Sequence, residues 1–325
     1  MNEEILNYIY KEIGKSKIVE LKGDASSRKY FRIIKNNNSY IVSDSSMENK
    51  QFSNTILVNQ ILKKAQLSIP EIYHYDKKRK FMILEDFGNS SFNKLILKNN
   101  YKDHLLKIAI DNLIIINKLS INKKNKLKKL SFVKFEEEVS EFIDWYYPFA
   151  HKKTISNFYR KIFLDIWKKT FKKIKFNQNS FVHRDYFCNN LIYLKNRKKH
   201  LKCGIIDYQD GFIGDQVLDL VSLLEDSRRI IKTNHKMRLI KYYLKNTFDK
   251  EDYDNYLIKL NFIGASRQTR ILGRWIKLYK IYNKRHYLKY IDYTWFWLQK
   301  NLDDPFLKDL KSLYLELLPL KLRKK

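Results

Sequence analysis

A short β-type segment, residues 180–210, interrupts a chain that is rich in helical periodicity after residue 88. The segment contains the octapeptide His-Arg-Asp-Tyr-Phe-Cys-Asn-Asn at 183–190, followed by two apolar runs that flank a charged turn. Two apolar runs joined by such a turn predict a β-hairpin. Because a hairpin brings its two ends together, we expect Asp207, just after the second run, to return toward Asn190.

The order H-R-D-x-x-x-x-N, hairpin, Asp is typical of a kinase catalytic loop. Phosphoryl transfer needs an oriented acceptor hydroxyl and metal ions that neutralise the phosphates of ATP. A carboxylate can accept the hydroxyl proton, and amide and carboxylate oxygens suit Mg²⁺. The pattern therefore predicts Asp185 as the base and Asn190 and Asp207 as magnesium ligands, with His183 as a structural support of the loop. Considered individually, each residue could instead have a structural role, either in a turn or in an ion pair with a Lys.

The first 87 residues have the periodicity of a small mixed α/β lobe. Short runs of alternating apolar residues are separated by polar turns, and two stretches have helical spacing. The expected elements are a helix at 5–13, strands at 18–21, 30–34, 40–42, 71–75 and 81–84, and a helix at 48–65 between the third and fourth strands.

After residue 88 long amphipathic stretches dominate, for example at 103–119, 132–147 and 158–171. We therefore predict an α+β fold of the bilobal, protein-kinase-like kind. Residues 1–87 would form a small antiparallel-sheet lobe with an inserted helix that binds the nucleotide. Residues 88–325 would form a larger, mainly helical lobe with the catalytic loop and the acceptor site.

The chain is strongly basic, with 65 Lys and Arg against 35 Asp and Glu and a formal net charge of +30. Such an excess is also found in nucleic-acid-binding proteins, so a non-catalytic nucleotide- or nucleic-acid-binding protein is an alternative of another class. The basic residues are scattered over most segments, which favours a general compositional bias. No specific nucleic-acid partner is therefore expected, although the field would attract anionic substrates such as nucleotides.

The two cysteines, Cys188 and Cys203, form neither a C-x-x-C pair nor a disulfide or zinc pattern. The first residues lack the basic start and the apolar run of a secretory signal. Polar residues interrupt the apolar helical stretches before they reach the length of a bilayer. These features predict a soluble, cytoplasmic protein without a membrane partner.

The octapeptide and the Ile206-Asp207 pair resemble the aminoglycoside phosphotransferase family, which shares the kinase-like fold. Three segments are similar to one branch of it, the bacterial anomeric kinases of N-acetylmuramate and N-acetylglucosamine. The resemblance extends over nearly the whole chain, as far as Leu298. The three segments are 23–32, 206–226 and 263–273.

This resemblance implies an ATP- and Mg²⁺-dependent kinase of an amino sugar, acting on the anomeric hydroxyl of N-acetylmuramate or N-acetylglucosamine in cell-wall recycling. A small-molecule sugar is then the expected partner. The alternative within the fold is an aminoglycoside or amino-alcohol kinase. Cationic acceptors need an acidic surface, and the basic excess argues against them.

The resemblance also assigns further site residues. The loop at 23–28 would cover the ATP phosphates with backbone N–H groups and hydroxyls. Glu85 would belong to a connector that offers backbone groups to adenine, and Asp219 would support the catalytic loop. For the sugar contacts, structural salt bridges are the alternative. The phosphate-side residues are Gly23, Ser26, Ser27, Arg28 and Arg32, and the sugar-side residues are Asp210, Glu225 and Arg267.

One departure from the kinase pattern concerns the third strand. Kinase-like lobes carry a Lys there that pairs with the phosphates. Here the run at 40–44 reads Tyr-Ile-Val-Ser-Asp, without a Lys. We expect Arg28, Lys29 or Arg32 to supply the charge, and the alternative interpretation of each is an ordinary surface residue.

Overall fold

The structure is a computed structural model that describes residues 3–21, 28–47, 49–98, 102–119, 127–247 and 252–323. Within these ranges the chain divides into two compact units. Unit 1 comprises Met1–Ile116 and His183–Gly211, and unit 2 comprises Asn117–Val182 and Phe212–Lys325. The functional boundary predicted at residue 87 falls where the sheet of unit 1 ends, and it stays a prediction.

Unit 1 is built on an antiparallel sheet, for which the described residues supply five strands in the order β1-β2-β3-β5-β4. All five lie where the sequence predicts strands, because alternating apolar residues between polar turns are a local signal. The strands are β1 (Lys17–Leu21), β2 (Lys29–Lys35), β3 (Asn38–Asp44), β4 (Ile72–Asp76) and β5 (Phe81–Glu85).

The turn between β2 and β3 follows from its two asparagines. Lys35 pairs with Asn38, which leaves a two-residue turn. Both turn residues, Asn36 and Asn37, have positive φ, at 48° and 63°. Asn tolerates the left-handed region better than most residues, and two such residues in succession give a turn whose twist matches a hairpin. The turn therefore fixes the register of β2 against β3.

One face of the sheet is covered by α1 (Glu3–Glu12), which packs into a buried apolar cluster. Since side chains alternate between the faces of a strand, Tyr30 and Arg32 of β2 belong to the opposite face. This alternation decides which basic residues of β2 can reach the site described below. The cluster consists of Ile5, Tyr8, Ile9, Phe31, Ile33, Val42, Phe81 and Ile83.

The rest of unit 1 consists of three helices and the predicted hairpin. Helix α2 (Asn49–Lys64) lies between β3 and β4, as expected, and α3 (Phe92–Lys98) and α4 (Lys102–Asn117) follow β5. The hairpin pairs β7 (Leu191–Tyr193) with β8 (Cys203–Ile205) in antiparallel register. Isolated bridges from Ser68 to Gly204 and from Ser91 to Ile192 attach the hairpin to the rest of unit 1.

Unit 2 is mainly helical, with one short antiparallel pair, β6 (Ser180–Val182) and β9 (Phe212–Gly214). In the described part of the chain, no helix combines the length and apolarity needed to cross a membrane. The helices are α5 (Phe132–Glu141), α6 (Tyr147–His151), α7 (Asn157–Lys172), α8 (Val217–Leu224), α9 (Thr233–Asn246), α10 (Tyr253–Tyr282), α11 (Ile291–Leu302) and α12 (Lys308–Leu317).

The helical stretch predicted at 132–147 differs from the structure in its last third, where a π-helical segment, Phe142–Tyr146, joins α5 to α6. At this place Gly273 of α10 approaches the backbone so closely that a Cβ would overlap the Glu141 carbonyl. Widening of a helix into a π-turn is a local adjustment that a 3.6-residue periodicity does not reveal. The absence of a side chain at Gly273 lets the two segments meet.

The core of unit 2 is aromatic. Trp275, Trp295 and Trp297 are buried, and each indole N–H donates a hydrogen bond, to Thr294 Oγ1 (3.0 Å), Tyr146 Oη (2.7 Å) and Arg229 O (3.0 Å) respectively. Buried tryptophans with a satisfied N–H are structural. Other fully buried aromatic side chains of this unit are Phe142, Phe163, Trp167, Phe181, Phe262 and Tyr314.

Gly273→Ala is expected to lower the free energy of unfolding by about 1–3 kcal/mol, because the new methyl group overpacks the contact with Glu141. The helix propensity of Ala acts in the opposite direction by about 1 kcal/mol. Urea denaturation measures the difference, and Lys280→Ala, an exposed change in the same helix, serves as the control. A more stable Gly273→Ala protein would show that the close approach is absent.

Candidate active site

The octapeptide at 183–190 begins directly after β6 and ends directly before β7. Short-range hydrogen bonds turn its backbone, from Phe187 N to Asp185 O (3.0 Å) and from Asn190 N to Phe187 O (2.8 Å). Arg184 has a φ of 79°, in the left-handed region. Such a conformation is unfavourable for a non-glycine residue and is found preferentially at functional sites.

Two buried residues of the loop anchor it to the helices of unit 1. The Tyr186 hydroxyl donates to the carbonyl of Ala109 in α4 (2.9 Å), and the N–H of Asn93 in α3 donates to the Cys188 carbonyl (3.1 Å). The side chains of Tyr186 and Cys188 are fully buried. The anchors fix the backbone on both sides of Phe187 and so hold the loop in one conformation.

The end of the loop is tied to the residue before Asp207. Ile206 N donates to Asn190 O (3.1 Å). The Nδ2 of Asn190 donates to the Asp185 carbonyl (3.0 Å) and lies 3.4 Å from Oδ2 of Asp207. The structure therefore brings together the loop of Asp185 and the side chains of Asn190 and Asp207.

His183 is fully buried, and its Nε2–H donates to the Ile206 carbonyl (3.0 Å). Burial lowers the pKa of the imidazole below its ordinary value, although the nearby carboxylates of Asp207 and Asp185 act in the opposite direction. A neutral ring whose Nε2–H is committed to a backbone carbonyl positions that backbone. This geometry favours the interpretation of His183 as a structural support.

The surroundings of Asp207 fit a small divalent cation. Its φ of 64° lies in the left-handed region, and its Oδ1 accepts hydrogen bonds from Arg28 Nη2 and Gln209 Nε2, each at 3.0 Å. A half-turn of the Asn190 amide would place its Oδ1 beside the same carboxylate, so the pair offers two oxygens, the ligand type that Mg²⁺ prefers. No cluster of three or more His, Cys, Asp or Glu side chains suited to a metal occurs in the described ranges. Two protein ligands completed by phosphate oxygens and water suffice for Mg²⁺.

The three basic residues considered for the phosphates have different surroundings. Arg28 is buried and reaches Asp207, whereas Lys29 is exposed. Arg32 forms a two-pronged ion pair with Asp86, from Nε to Oδ2 (2.6 Å) and from Nη2 to Oδ1 (2.9 Å). The predicted phosphate-side residues Gly23, Ser26 and Ser27 lie outside the described residues.

The connector after β5 is held by ion pairs. Glu85 Oε1 accepts from Arg197 Nη2 (2.6 Å), and Asp86 Oδ1 also accepts from the N–H of Gly88 (2.8 Å), which has a φ of 76°. Burial raises the pKa of Asp86, but the hydrogen bonds from Arg32 and Gly88 outweigh it and hold that pKa below its ordinary value. Asp86 is therefore a carboxylate at neutral pH and fixes the connector.

Helix α2 holds the residues after Asp207 through side-chain amides, which the sequence interpretation missed. The helix was predicted from the apolar stripe on one face of α2. The polar residues 51, 54 and 59 on another face are the signal from which these contacts could have been predicted. Burial raises the pKa of Tyr208, one of the partners, to about 12. The hydrogen bonds run from Asn59 Nδ2 to Tyr208 Oη (2.7 Å), from Asn54 Nδ2 to the Gln209 carbonyl, and from Gln51 Nε2 to Asp210 Oδ1 (3.3 Å).

The remaining predicted site residues lie in unit 2. Asp219 is fully buried in α8. Glu225, directly after α8, is also fully buried and forms an ion pair with Lys236, while its Oε2 accepts from Asn301 Nδ2 (2.6 Å). Arg267 Nη2 donates to the hydroxyl of Ser222 (2.9 Å). These contacts favour the salt-bridge interpretation for Glu225 over a sugar contact.

A catalytic-loop octapeptide, a hairpin and an Asp beside its Asn define a kinase-like phosphotransferase. The chain belongs to the phosphotransferase enzyme family, whose model matches residues 17–256. The chain is therefore a phosphotransferase, as the sequence predicts.

Two relatives carry the name N-acetylmuramate/N-acetylglucosamine kinase. The protein from Caulobacter vibrioides is 26% identical over 274 residues, which cover 79% of this chain and 72% of the relative. The protein from Neisseria meningitidis is 24% identical over 268 residues, which cover 79% and 77%. These similarities confirm the resemblance to the aminoglycoside phosphotransferase family and to its amino-sugar kinase branch.

Solved structures show the same fold. An ADP-bound aminoglycoside phosphotransferase, APH(2'')-Ib, superposes with a TM-score of 0.63 at 17% identity and covers 92% of this chain and 97% of its own. A choline/ethanolamine kinase family protein from Mesorhizobium loti has a TM-score of 0.64 at 12% identity, with coverages of 96% and 99%. The predicted α+β, kinase-like fold with a small antiparallel sheet and a larger helical part is confirmed.

Asp86→Asn is expected to lower the free energy of unfolding at neutral pH by on the order of 2 kcal/mol, because charge-assisted hydrogen bonds from Arg32 are lost. The folded-state pKa of Asp86 lies below that of the unfolded chain. The contribution is therefore present above the ordinary Asp pKa of about 3.9 and is lost as the pH falls through the folded-state pKa.

Urea denaturation of both proteins from neutral to acidic pH checks this prediction. The difference between wild type and Asp86→Asn should narrow toward acid. Glu20→Gln, an exposed carboxylate-to-amide change on β1, should match the wild type throughout. A difference that does not vary with pH would show that the charge of Asp86 contributes nothing.

Proposed function

We propose that this chain is an ATP- and Mg²⁺-dependent kinase that phosphorylates the anomeric hydroxyl of N-acetylmuramate or N-acetylglucosamine. The observation that carries the proposal is the pairing of Asn190 with Asp207 beside the loop of Asp185, in a chain of the phosphotransferase enzyme family. The amino-sugar acceptor is supported by the names of the relatives from Caulobacter and Neisseria. The activity would belong to cell-wall recycling in the cytoplasm.

Asp185 is proposed as the catalytic base. Its carboxylate would accept a hydrogen bond from the acceptor hydroxyl and orient that oxygen in line with the γ-phosphorus of ATP. It would take the proton as the new bond to phosphorus forms and the bond from the γ-phosphorus to the bridging oxygen breaks, with ADP as the leaving group. The two backbone hydrogen bonds within the loop and the anchors at Tyr186 and Cys188 support this role, because a base must be held still to orient its substrate.

Asn190 and Asp207 are proposed as the residues that hold Mg²⁺. When bound, Mg²⁺ neutralises the charge on the phosphate oxygens. His183 would keep the backbone of Ile206, and with it the orientation of Asp207, unchanged during the reaction.

On the nucleotide side, backbone groups of the connector at 85–88 are proposed to bind adenine, and the loop at 23–28 to cover the phosphates. The ion pair with Asp86 supports a role for Arg32 in holding the connector rather than in touching the phosphates. On the acceptor side, Asp210 of unit 1 is proposed as a sugar contact. Glu225 is proposed as a structural ion-pair residue, because both of its oxygens have partners in the interior of unit 2.

Asp185→Asn is expected to lower kcat by roughly 100- to 10,000-fold, the usual contribution of a general base, since the amide cannot take the proton. The affinity for Mg²⁺-ATP and the melting temperature should stay as in the wild type. A coupled ADP-release assay measures kcat, and calorimetry measures the affinity. Asp309→Asn, an exposed change in α12, is the matched control. Turnover of Asp185→Asn close to that of the wild type would contradict the mechanism.

A panel of acceptors tests the substrate. We expect ATP consumption with N-acetylmuramate or N-acetylglucosamine to yield the 1-phosphate, identified by phosphorus NMR, and no phosphorylation of aminoglycosides, choline or ethanolamine. The reducing sugar blocked as its methyl glycoside is the matched control and should be inert, because it lacks the anomeric hydroxyl. Phosphate found on the antibiotics or amino alcohols alone would replace the amino-sugar assignment with the alternative kinase of the same fold.

A further inference from the structure

Arg28 lies at the carboxylate that is proposed to bind metal. Its Nη2 donates to Asp207 Oδ1 at 3.0 Å, and its side chain is 8% exposed, against 39% for the Asp207 side chain. The guanidinium carbon also lies 5.7 Å from the ring centre of Tyr30. A nearly buried arginine therefore occupies one oxygen of an Asp that is itself open to solvent.

The position of Arg28 follows from the strand that it precedes. Side chains alternate along β2, so positions 30 and 32 belong to the face opposite α1, and position 29 does not; Arg28 lies directly before the strand. Arg28 and Arg32 accordingly reach acidic partners, and Lys29 is exposed. Arg32 is already paired with Asp86, which leaves Arg28 as the basic residue of this set that can respond to a ligand at Asp207.

Within the described β3 and α2, neither residue of the usual kinase phosphate clamp is present. In protein kinases a Lys on the third strand pairs with the phosphates and with a Glu on the helix of the small lobe. Here β3 contains no Lys, and α2 contains neither Asp nor Glu. On the site-facing side β3 instead offers Ile41 and the buried Ser43. The phosphates need a cation from elsewhere.

We propose that Arg28 alternates between two anions: the carboxylate of Asp207 when no nucleotide is bound, and the phosphates when Mg²⁺-ATP binds. This inference rests on the proposed kinase function and names the residue that takes the place of the missing Lys. In the nucleotide-free chain Arg28 competes with metal for Asp207, so metal binds there more weakly until the phosphates arrive.

The exchange follows from the chemistry of the groups. An oxygen of Asp207 that binds a metal ion cannot keep its full hydrogen bond to a guanidinium, and the two cations repel each other. The contact of Arg28 with Asp207 then weakens, and the burial of its guanidinium favours a second anion beside it. Phosphate oxygens match the planar fork of Arg in two-pronged hydrogen bonds. Metal and phosphate thus bind together. The metal replaces Arg28 at Asp207, and the phosphate gives Arg28 a new anionic partner.

Arg28→Ala tests the proposal through two binding measurements that move in opposite directions. The first is the affinity for Mn²⁺ without nucleotide, measured by electron paramagnetic resonance. It should increase about fivefold, because the competitor at Asp207 is gone. The second is the affinity for Mg²⁺-ADP, measured by calorimetry. It should fall roughly ten- to a hundredfold, because charge-assisted hydrogen bonds to the phosphates are lost.

Three further variants make the result specific. Lys29→Ala, the same loss of charge one residue along on the exposed side, should leave both affinities unchanged. Asp207→Asn should abolish the Mn²⁺ binding and so confirm which site is measured. Arg28→Gln keeps a donor for Asp207 without the charge. It should change the Mn²⁺ and Mg²⁺-ADP affinities in the same directions as Arg28→Ala but by less, and it replaces Arg28→Ala if that variant does not fold.

The outcomes separate this inference from the proposed function. If the wild type binds Mg²⁺-ADP and Arg28→Ala weakens both affinities, Arg28 is a structural residue and the inference is overturned. Unchanged affinities in Arg28→Ala overturn it as well. If neither the wild type nor Lys29→Ala binds Mg²⁺-ADP, the proposed function fails, and the inference that depends on it fails for that separate reason.

Discussion

The active-site geometry depends on how Ile206 is held from two sides. Its N–H donates to the Asn190 carbonyl, and its own carbonyl accepts from the buried His183. The next residue, Asp207, has a φ of 64°, which costs a non-glycine residue of order 1–3 kcal/mol. The two backbone hydrogen bonds of Ile206, the residue before Asp207, offset a strain of that size. Because burial keeps His183 neutral, its Nε2–H stays available for this contact without adding a charge beside the proposed metal ligands.

A second constraint is that neutral amides, rather than a Lys–Glu ion pair, link the helix of the small sheet region to the segment after Asp207. Asn59, Asn54 and Gln51 reach successive residues of that segment. Hydrogen bonds from neutral amides lose less than an ion pair when a highly charged ligand arrives nearby, because a donor without a net charge responds less to the local field. The described residues that position this helix are therefore different from Arg28, the residue proposed to bind the phosphates.

The sequence was informative where its signals are local. Period-2 alternation located five strands, and the octapeptide with the following hairpin placed Asn190 beside Asp207, because both relations span few residues. Contacts between residues far apart in the chain could not be predicted from the sequence. The amide of Asn59 meets Tyr208 across 149 residues, and the π-helical segment at Phe142–Tyr146 depends on the approach of Gly273. Distinguishing Arg28 from Arg32 needed the partner of each side chain, which is Asp207 for Arg28 and Asp86 for Arg32.

The distribution of acidic residues bears on the acceptor. The segment 215–226 has four carboxylates, and all four are buried. Asp215 pairs with Lys259 (2.7 Å), Glu225 with Lys236, and Asp226 lies within 3.7 Å of two arginines. Carboxylates used in this way cannot present a negative surface to a polycationic antibiotic. In a chain with a net charge of +30, the buried carboxylates of this segment add no negative surface, and the positive field attracts anions such as a nucleotide or a sugar that carries a carboxylate.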